Sequence, residues 1–463
     1  MAEPVAPHVL VIPYPSQGHM LPLLDLAHLL SSRAGLAVTI AVTTKNRPFL
    51  DPLLSRSPFV APLVLPFPDY PALPPGLENS QDLPHAFFRP LIHALAGLQD
   101  PLIRWARSTP HSPSAIISDH LLGWTADLAA QLGITHLVFS SSGALPIAVF
   151  HVLWRRMPQR SDLDDPNCPI SFPEIPNSPV LPWRQLSFLY RTHIGGEPIS
   201  EFLREGFLKN TASWGFVFNT FADLDRVYLD YHRNDLGHPR VWALGPLAPL
   251  DGPVERGGVA CATAGEIMTW LDGCSEGSVL LVAFGSQQVL APPQAAALAA
   301  GLELSRARFI WCARGATVVP EGFEGRVAGW GLVVRGWAPQ VAILGHQAVA
   351  AFLTHCGWNS VLEAVAAGVA MLTWPMVADQ FLNARLVVEE AGVGVALCDG
   401  ADAVPDADEL ARVVAESLGE SGKGLRERAK ELSRRALEAA QEGGSSYKDL
   451  DGLVAELSKV AVN

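Results

Sequence analysis

The sequence predicts an α/β protein built from two doubly wound, parallel-sheet domains. Three observations predict it. Strand-like and helix-like segments alternate along the 463 residues, the pattern of repeated βαβ units. Several strand-like segments are near-continuous runs of β-branched and aromatic residues, as strands buried on both faces require. A Pro- and Gly-dense stretch, "VWALGPLAPLDGPVERGG" at residues 241–258, has no period and reads as a linker between the halves.

In chain order, the expected strands of the first half are "HVLVIPY", "LAVTIAVTT", "SAIISD", "THLVFSS" and "WGFVFNT". Those of the second half are "SVLLVAFGS", "RFIWCAR", "GLVVRGW", "AAFLTHCG", "AMLTWP" and "VGVALC". Ala/Leu segments of helical period separate them, such as "PPQAAALAAGLELSRA", "NSVLEAVAAG" and "DADELARVVAESLGE". The domains expected are residues 1–245 and 246–445, with a terminal helix at 446–463 packing back on the first. Residues 156–186 are too long and Pro-rich for an ordinary connection. They read as a lid or binding loop, or as a variable surface loop.

Hydrophobic residues make up 49% of the chain and charged residues 17%, enough apolar material for a large core. The net charge is −13 without basic clusters, which argues against nucleic acid and anionic membranes as partners. A phosphorylated small molecule stays open, because amides at helix N-termini bind anions without net positive charge. The cysteines, Cys168, Cys261, Cys274, Cys312, Cys356 and Cys398, form no CxxC pair, so neither a zinc site nor a disulfide framework is expected. No run approaches the roughly 18 apolar residues of a membrane span. The start, "MAEPVAPHVLVIPYP", is a poor signal peptide. A soluble cytoplasmic protein is the expectation.

Two segments carry chemistry. "VLVIPYPSQGHMLPLLDLAHLL", residues 9–30, has the layout of a strand, a turn and a helix. Its turn holds one glycine, followed by His19, and lacks GxGxxG, which excludes a dinucleotide-dependent dehydrogenase. "WAPQVAILGHQAVAAFLTHCGWNSVLEAVAAGVAMLTWPMVADQ", residues 337–380, contains a strand ending in His355-Cys356-Gly357 and then a helix with Asn359 or Ser360 as N-cap. That is an anion site at the C-terminal end of a parallel strand. Glu363 suits ribose hydroxyls, Trp337 and Trp358 offer stacking faces, and Asp379 and Gln380 suit sugar hydroxyls.

The second segment closely resembles the signature of plant secondary-product glycosyltransferases, the UDP-sugar-dependent family 1 enzymes of the GT-B fold. The matching pieces are "WAPQ", "ILGH", "HCGWNS-LE", "GV" and "WP---DQ" over 44 positions. The "FGS" at Phe284-Gly285-Ser286, the "NTF-DLD" at Asn219–Asp225 and the "GP" linker extend the resemblance over the chain. Two departures are Ala350-Ala351, at positions that often carry glycine, and Ala370, at a usual proline.

The resemblance implies two Rossmann-like domains facing a central cleft, the acceptor on the first and the UDP-sugar on the second. Trp337 would stack on uracil with the Ala338 backbone and Gln340 nearby, and Glu363 would hold the ribose. His355, Asn359, Ser360 and Ser286 would bind the diphosphate with the Gly357 turn. Trp358, Asp379 and Gln380 would contact the sugar, and Gln380 tilts the donor toward UDP-glucose. His19 would be the general base, taking the proton of an acceptor hydroxyl, and Asp119 in "SAIISDHLLGW" would orient it and stabilise its charged form. Ser141 would reach the sugar or the acceptor, while His120 lines the acceptor pocket or faces the surface.

The D-x-D strings at Asp162/Asp164, Asp223/Asp225, Asp406/Asp408 and Asp449/Asp451 fall in expected loops or helices, so no metal and no cofactor beyond the UDP-sugar donor is expected. The reaction implied is inverting transfer of glucose to a hydroxyl of a small lipophilic acceptor, a plant phenolic or flavonoid, giving a β-glucoside, by a monomeric enzyme. The alternatives are another donor (UDP-rhamnose, UDP-galactose or UDP-xylose) and a non-catalytic UDP-sugar-binding protein.

Overall fold

The computed structural model describes residues 7–247 and 264–461. The expected linker from residue 248 onward, and Cys261, lie outside the described residues. The chain forms two compact units, Met1–Leu247 with Ala439–Asn463, and Ala248–Glu438.

The strands of the first unit are β1 (His8–Ile12), β2 (Ala37–Thr43), β3 (Val60–Leu65), β4 (Ala115–Asp119), β5 (Thr135–Ser140), β6 (Pro169–Ser171), β7 (Val180–Pro182), β8 (Gly215–Phe218) and β9 (Val241–Ala243). Seven form one sheet in the order β3-β2-β1-β4-β5-β8-β9, every neighbouring pair parallel. The strand order reverses between β1 and β4, where chain connections leave toward opposite edges. In such sheets this switch point opens a crevice at the carboxyl ends of the strands. The β1–β4 register pairs Ile12 with Ser118, so Asp119 stands one residue beyond, beside the turn that leads to His19.

The core of this unit joins Val9, Val11, Ile117, Leu137 and Phe139 of the sheet to Leu23, Leu26 and Leu30 of the helix Gln17–Ala34. The helix Ser445–Val460 contributes Leu450, Leu453 and Leu457 to the same core. Spaced three and four apart, these leucines share one helix face, and each buried side chain stabilises by about 2 kcal/mol. Two polar contacts fix the docking: Ser446 Oγ donates to the Gly245 carbonyl at 2.6 Å, and the Ala243 N–H donates to Asp449 at 2.7 Å.

In the second unit, β10 (Val279–Ala283), β11 (Arg308–Ala313), β12 (Gly331–Arg335), β13 (Val349–Thr354), β14 (Ala370–Thr373) and β15 (Gly394–Ala396) form a parallel sheet. Its order is β12-β11-β10-β13-β14-β15, again with the reversal after the first strand. The β10–β13 register ends on Ala283 and Thr354, which puts His355 at the switch point. Leu280, Val282, Trp311, Leu353 and Trp374 form its core with Leu298 and Leu302 of the helix Pro292–Ser305.

Four strands were not expected from sequence. β3 carries Pro62 and has an exposed, irregular burial pattern; the missing N–H is tolerated because β3 is an edge strand. β6, β7 and β9 have three residues each, too few to show a period. The first two make an antiparallel pair inside residues 156–186, with Phe172 and Ile175 buried and Arg156 gripping both carboxylate oxygens of Glu174 at 2.8 and 2.7 Å. That stretch is therefore a packed hairpin with its own apolar anchor.

Candidate active site

At the first switch point the two residues of the expected dyad meet across 100 positions of sequence. His19 Nδ1 lies 2.8 Å from Asp119 Oδ2. His19 is the third residue of the helix Gln17–Ala34, whose first turn is set by the His19 and Met20 N–H groups donating to the Ser16 carbonyl. Asp119 ends β4 and is fully buried, and its Oδ1 accepts the Leu121 N–H at 2.9 Å. Burial alone would raise its pKa. The charges of His19 and His120 and the hydrogen bonds from His19 and Leu121 outweigh that, and the carboxyl ends below its ordinary value. Asp119 is thus an anion at neutral pH. With Nδ1–H committed to this anion, the neutral imidazole of His19 has its lone pair on Nε2, the atom a base uses.

Ser141, just past β5, places its Oγ 3.0 Å from His19 Nδ1, so it stands with the dyad and is held in the first unit. The ring of Tyr14 meets His19 edge-on at 5.3 Å, and burial pushes the Tyr14 hydroxyl pKa up, keeping it protonated. His120 faces His19, not the surface: the rings stack at 5.4 Å. The donor atoms of His19, Asp119 and His120 all lie within 4.8 Å of one another. Gly18 is less constrained than its place in the turn suggests. A Cβ there would meet nothing within 4 Å, so no contact in the structure demands glycine.

At the second switch point His355 follows β13 directly and is buried. Its ring sits between two glycines. A Cβ on Gly285 would lie 2.5 Å from His355 Nε2, and one on Gly357 2.6 Å from the same atom. Its Nδ1 has no hydrogen-bond partner among the described residues. Burial lowers its pKa to about 4, so the imidazole is neutral at pH 7. Cys356 takes a left-handed backbone (φ 62°), held by its N–H to Thr354 Oγ1 at 3.1 Å. Its thiol is buried and its pKa raised by that burial, so it is no nucleophile.

The helix Trp358–Ala367 begins two or three residues earlier than the expected N-caps imply. Gly357 is the N-cap, whereas sequence pointed to Asn359 or Ser360. Both of those residues lie in the first turn, where N–H groups have no carbonyl of their own helix to bond. Trp358, the first residue of this helix, is buried to 3% exposure.

The remaining expected donor residues are knitted together. Gln340 Nε2 donates to Ser360 Oγ at 3.0 Å and to Glu363 Oε2 at 2.7 Å. Gln380 Oε1 accepts the N–H groups of Met376 and Val377 at 2.9 and 3.0 Å, which fixes its amide with the NH2 on the opposite side. Asp379 accepts Asn383 Nδ2 at 2.9 Å, and the same nitrogen donates to the Cys356 carbonyl at 3.0 Å, tying the loop after β14 to the loop after β13. Ser286 lies in the turn after β10, beside Gly285. Ala338 and Trp337 lie between β12 and the helix Gln340–Leu344.

Sequence reasoning missed two supports. The Arg314 guanidinium stacks over one face of Trp337, 4.7 Å from the ring centroid. Asn383 was legible as the residue four beyond Asp379 on a helix; Arg314 was not, because its only signal is its place at a strand end.

The D-x-D strings have local duties. Asp225 accepts the Ala144 N–H at 2.8 Å, and Asp406 caps its helix by accepting the Glu409 N–H at 2.9 Å. Cys168, Cys274, Cys312, Cys356 and Cys398 are free thiols. Among the described residues no helix is long and apolar enough to cross a membrane.

Comparison with known proteins shows the family and the fold. The family described as "UDP-glucoronosyl and UDP-glucosyl transferase" matches residues 240–415. "Flavonol 3-O-glucosyltransferase UGT89B1" of Arabidopsis thaliana is 49% identical, over 100% of this chain and 98% of its own. "UDP-glycosyltransferase 89B2" of Stevia rebaudiana is 50% identical, over 97% and 98%. Among solved structures, Arabidopsis thaliana UGT89C1 complexed with UDP-L-rhamnose matches with a TM-score of 0.82 at 39% identity, covering 98% of this chain and 100% of that one. The same neighbour has been solved complexed with quercetin. The protein belongs to the plant UDP-glycosyltransferase family and is a UDP-sugar-dependent glycosyltransferase of the GT-B fold.

Proposed function

We propose that the protein transfers glucose from UDP-glucose to a hydroxyl of a small phenolic acceptor of the flavonol class, with inversion, giving a β-glucoside. The observation that carries this reading is the 2.8 Å contact between His19 and the buried Asp119 carboxylate. His19 Nε2 takes the proton of the acceptor hydroxyl as that oxygen attacks the anomeric carbon. The bond from that carbon to the diphosphate oxygen breaks, and UDP leaves with the electron pair. Asp119 stabilises the imidazolium formed, as the acidic member of a triad does.

The second unit holds the donor. Trp337, Ala338, Gln340 and Glu363 take the uridine; Ser286, His355, Gly357, Asn359 and Ser360 take the diphosphate; Trp358 (through its backbone), Asp379 and Gln380 take the sugar. Helix-start amides supply the positive field at the leaving group, so this reading calls for no metal. Ser141 belongs to the His19 side. A cytoplasmic setting fits the free thiols.

A second reading exchanges the sugar. The solved neighbour at 39% identity is complexed with UDP-L-rhamnose, whereas the relative at 49% identity is named a glucosyltransferase. The test is a panel of UDP-glucose, UDP-rhamnose, UDP-galactose and UDP-xylose with quercetin, read by mass spectrometry and by the anomeric coupling of the product. A β-glucoside is expected. Exclusive transfer of rhamnose overturns the donor assignment, and UDP binding without any transfer overturns catalysis.

A further inference from the structure

His120 is used by neither the core nor the dyad, yet it touches both members of the dyad. Its ring stacks on His19, centroids 5.4 Å apart and planes 28° apart. Its Nδ1 stands 3.7 Å from Asp119 Oδ1, while His19 Nδ1 holds Asp119 Oδ2 at 2.8 Å. One buried carboxylate therefore faces an imidazole on each oxygen. The backbone pins His120 from both sides: its N–H donates to the Phe139 carbonyl at 3.0 Å, and its carbonyl accepts Asn210 Nδ2 at 2.6 Å. Phe150 meets the ring edge-on at 6.1 Å.

A single carboxylate cannot give its full charge to two imidazoles. At 3.7 Å His120 acts on Asp119 through its ring dipole or, when protonated, its charge, and either draws on the charge that would stabilise protonated His19. We propose that His120 is a positioning residue that shares Asp119 with His19 and so keeps the base neutral to lower pH than a lone His–Asp pair would. The proposal rests on His19 being the general base. The other polar and titratable groups around the cluster do not replace His120 in this role. Tyr14 stays protonated; Ser141 is neutral; Leu121 offers a fixed N–H; and His151, next to Phe150 on the helix Ala144–Arg156, is kept neutral chiefly by burial, then by the charges of His232, His238, His120 and Arg155.

The test is the pH dependence of kcat/KM, with UDP-glucose or UDP-rhamnose as donor and a flavonol as acceptor. Wild type, His120→Phe, His120→Asn and His19→Ala are compared, with UDP affinity and Tm as folding controls. Phe keeps the packed ring without charge. Asn keeps a donor near the Nδ1 position but does not titrate, and it carries the measurement if the Phe variant does not fold. The acid limb is expected to move to higher pH by about half to one unit in His120→Phe, and by less in His120→Asn. An unmoved acid limb in both variants, with only the acceptor KM raised, overturns the proposal and makes His120 a pocket wall. If His19→Ala is inactive while the limb is unmoved, the base reading survives alone. Wild-type turnover by His19→Ala overturns both.

Discussion

The two sheets present opposite chemistry at the same position. One residue beyond the last register pair at each switch point stands Asp119 in the first unit and His355 in the second. The first is a buried anion with an imidazole on it; the second is a buried neutral imidazole held between two glycines, its Nδ1 unpartnered among the described residues. Each helix that follows has an N-terminus that favours negative charge. In the second unit burial alone shifts His355, with no charged partner acting on it among the described residues, and the proposed reading gives that field to a diphosphate. In the first, a carboxylate has been built in, and a histidine delivered to it acquires a stable protonated form. In the proposed reading, the partner of the histidine, more than the histidine itself, separates a base from an anion site.

The sharpest way to break this comparison is to neutralise the anion while keeping its shape. Asp119→Asn is expected to lower kcat/KM by about 1,000-fold or more, because the amide cannot stabilise imidazolium and can hold the wrong tautomer. UDP affinity, read by calorimetry, is expected to stay within about twofold, since the donor residues belong to the other unit. A comparable loss of UDP binding would mean that the two sites are not separate in function.

A smaller effect is expected from filling the space around His355. Gly357 has an ordinary backbone (φ −58°), so Gly357→Ala adds only the Cβ that would lie 2.6 Å from His355 Nε2. Overpacking of this kind costs about 1–3 kcal/mol; taken from UDP binding, that raises the dissociation constant roughly 5- to 140-fold. Gly285→Ala adds backbone strain to the same collision, since Gly285 sits at φ 73°, and is expected to be the worse of the two. Unchanged UDP affinity in both would remove His355 from the anion site.

These two sites were legible from sequence to different depths. The strands that bear them are long apolar runs, and their order follows from alternation with helices, so the dyad and the signature loop were placed in the right turns. What escaped was set by register and packing. No spacing rule puts His120 on His19 or Arg314 on Trp337; both contacts depend on which way a ring leaves a strand end. Trp358 shows the converse. Its place in the motif suggests a sugar contact, and its burial as the first residue of an apolar helix is not legible from that motif. Short edge elements such as β9 lacked the length for any pattern to appear.

The smallest expected effect concerns acid stability. Burial lowers His136 and His232 to about 4, His355 likewise, and His151 well below its ordinary value. Three of these lie in the first unit and one in the second. Each is neutral when folded and titrates near 6.5 when unfolded, so the unfolded chain binds more protons as pH falls below about 6.5, and stability is lost there. Asp119 adds nothing in that window, because its depressed pKa stabilises above the ordinary carboxyl value and is lost only in stronger acid. Between pH 7 and pH 6 each buried histidine is expected to remove about 0.7 kcal/mol. His136, bonded through Nε2 to Ser118 and Thr125 hydroxyls at 3.0 Å each, is the probe, since its ring bonds those hydroxyls and neither His19 nor Asp119. His136→Gln lowers stability at every pH by disturbing those hydroxyls, but the slope is the readout. Urea unfolding at the two pH values is expected to show the variant losing about 0.7 kcal/mol less than the wild type. Equal losses would mean that His136 accepts a proton in the folded state, and that its buried position tolerates a cation.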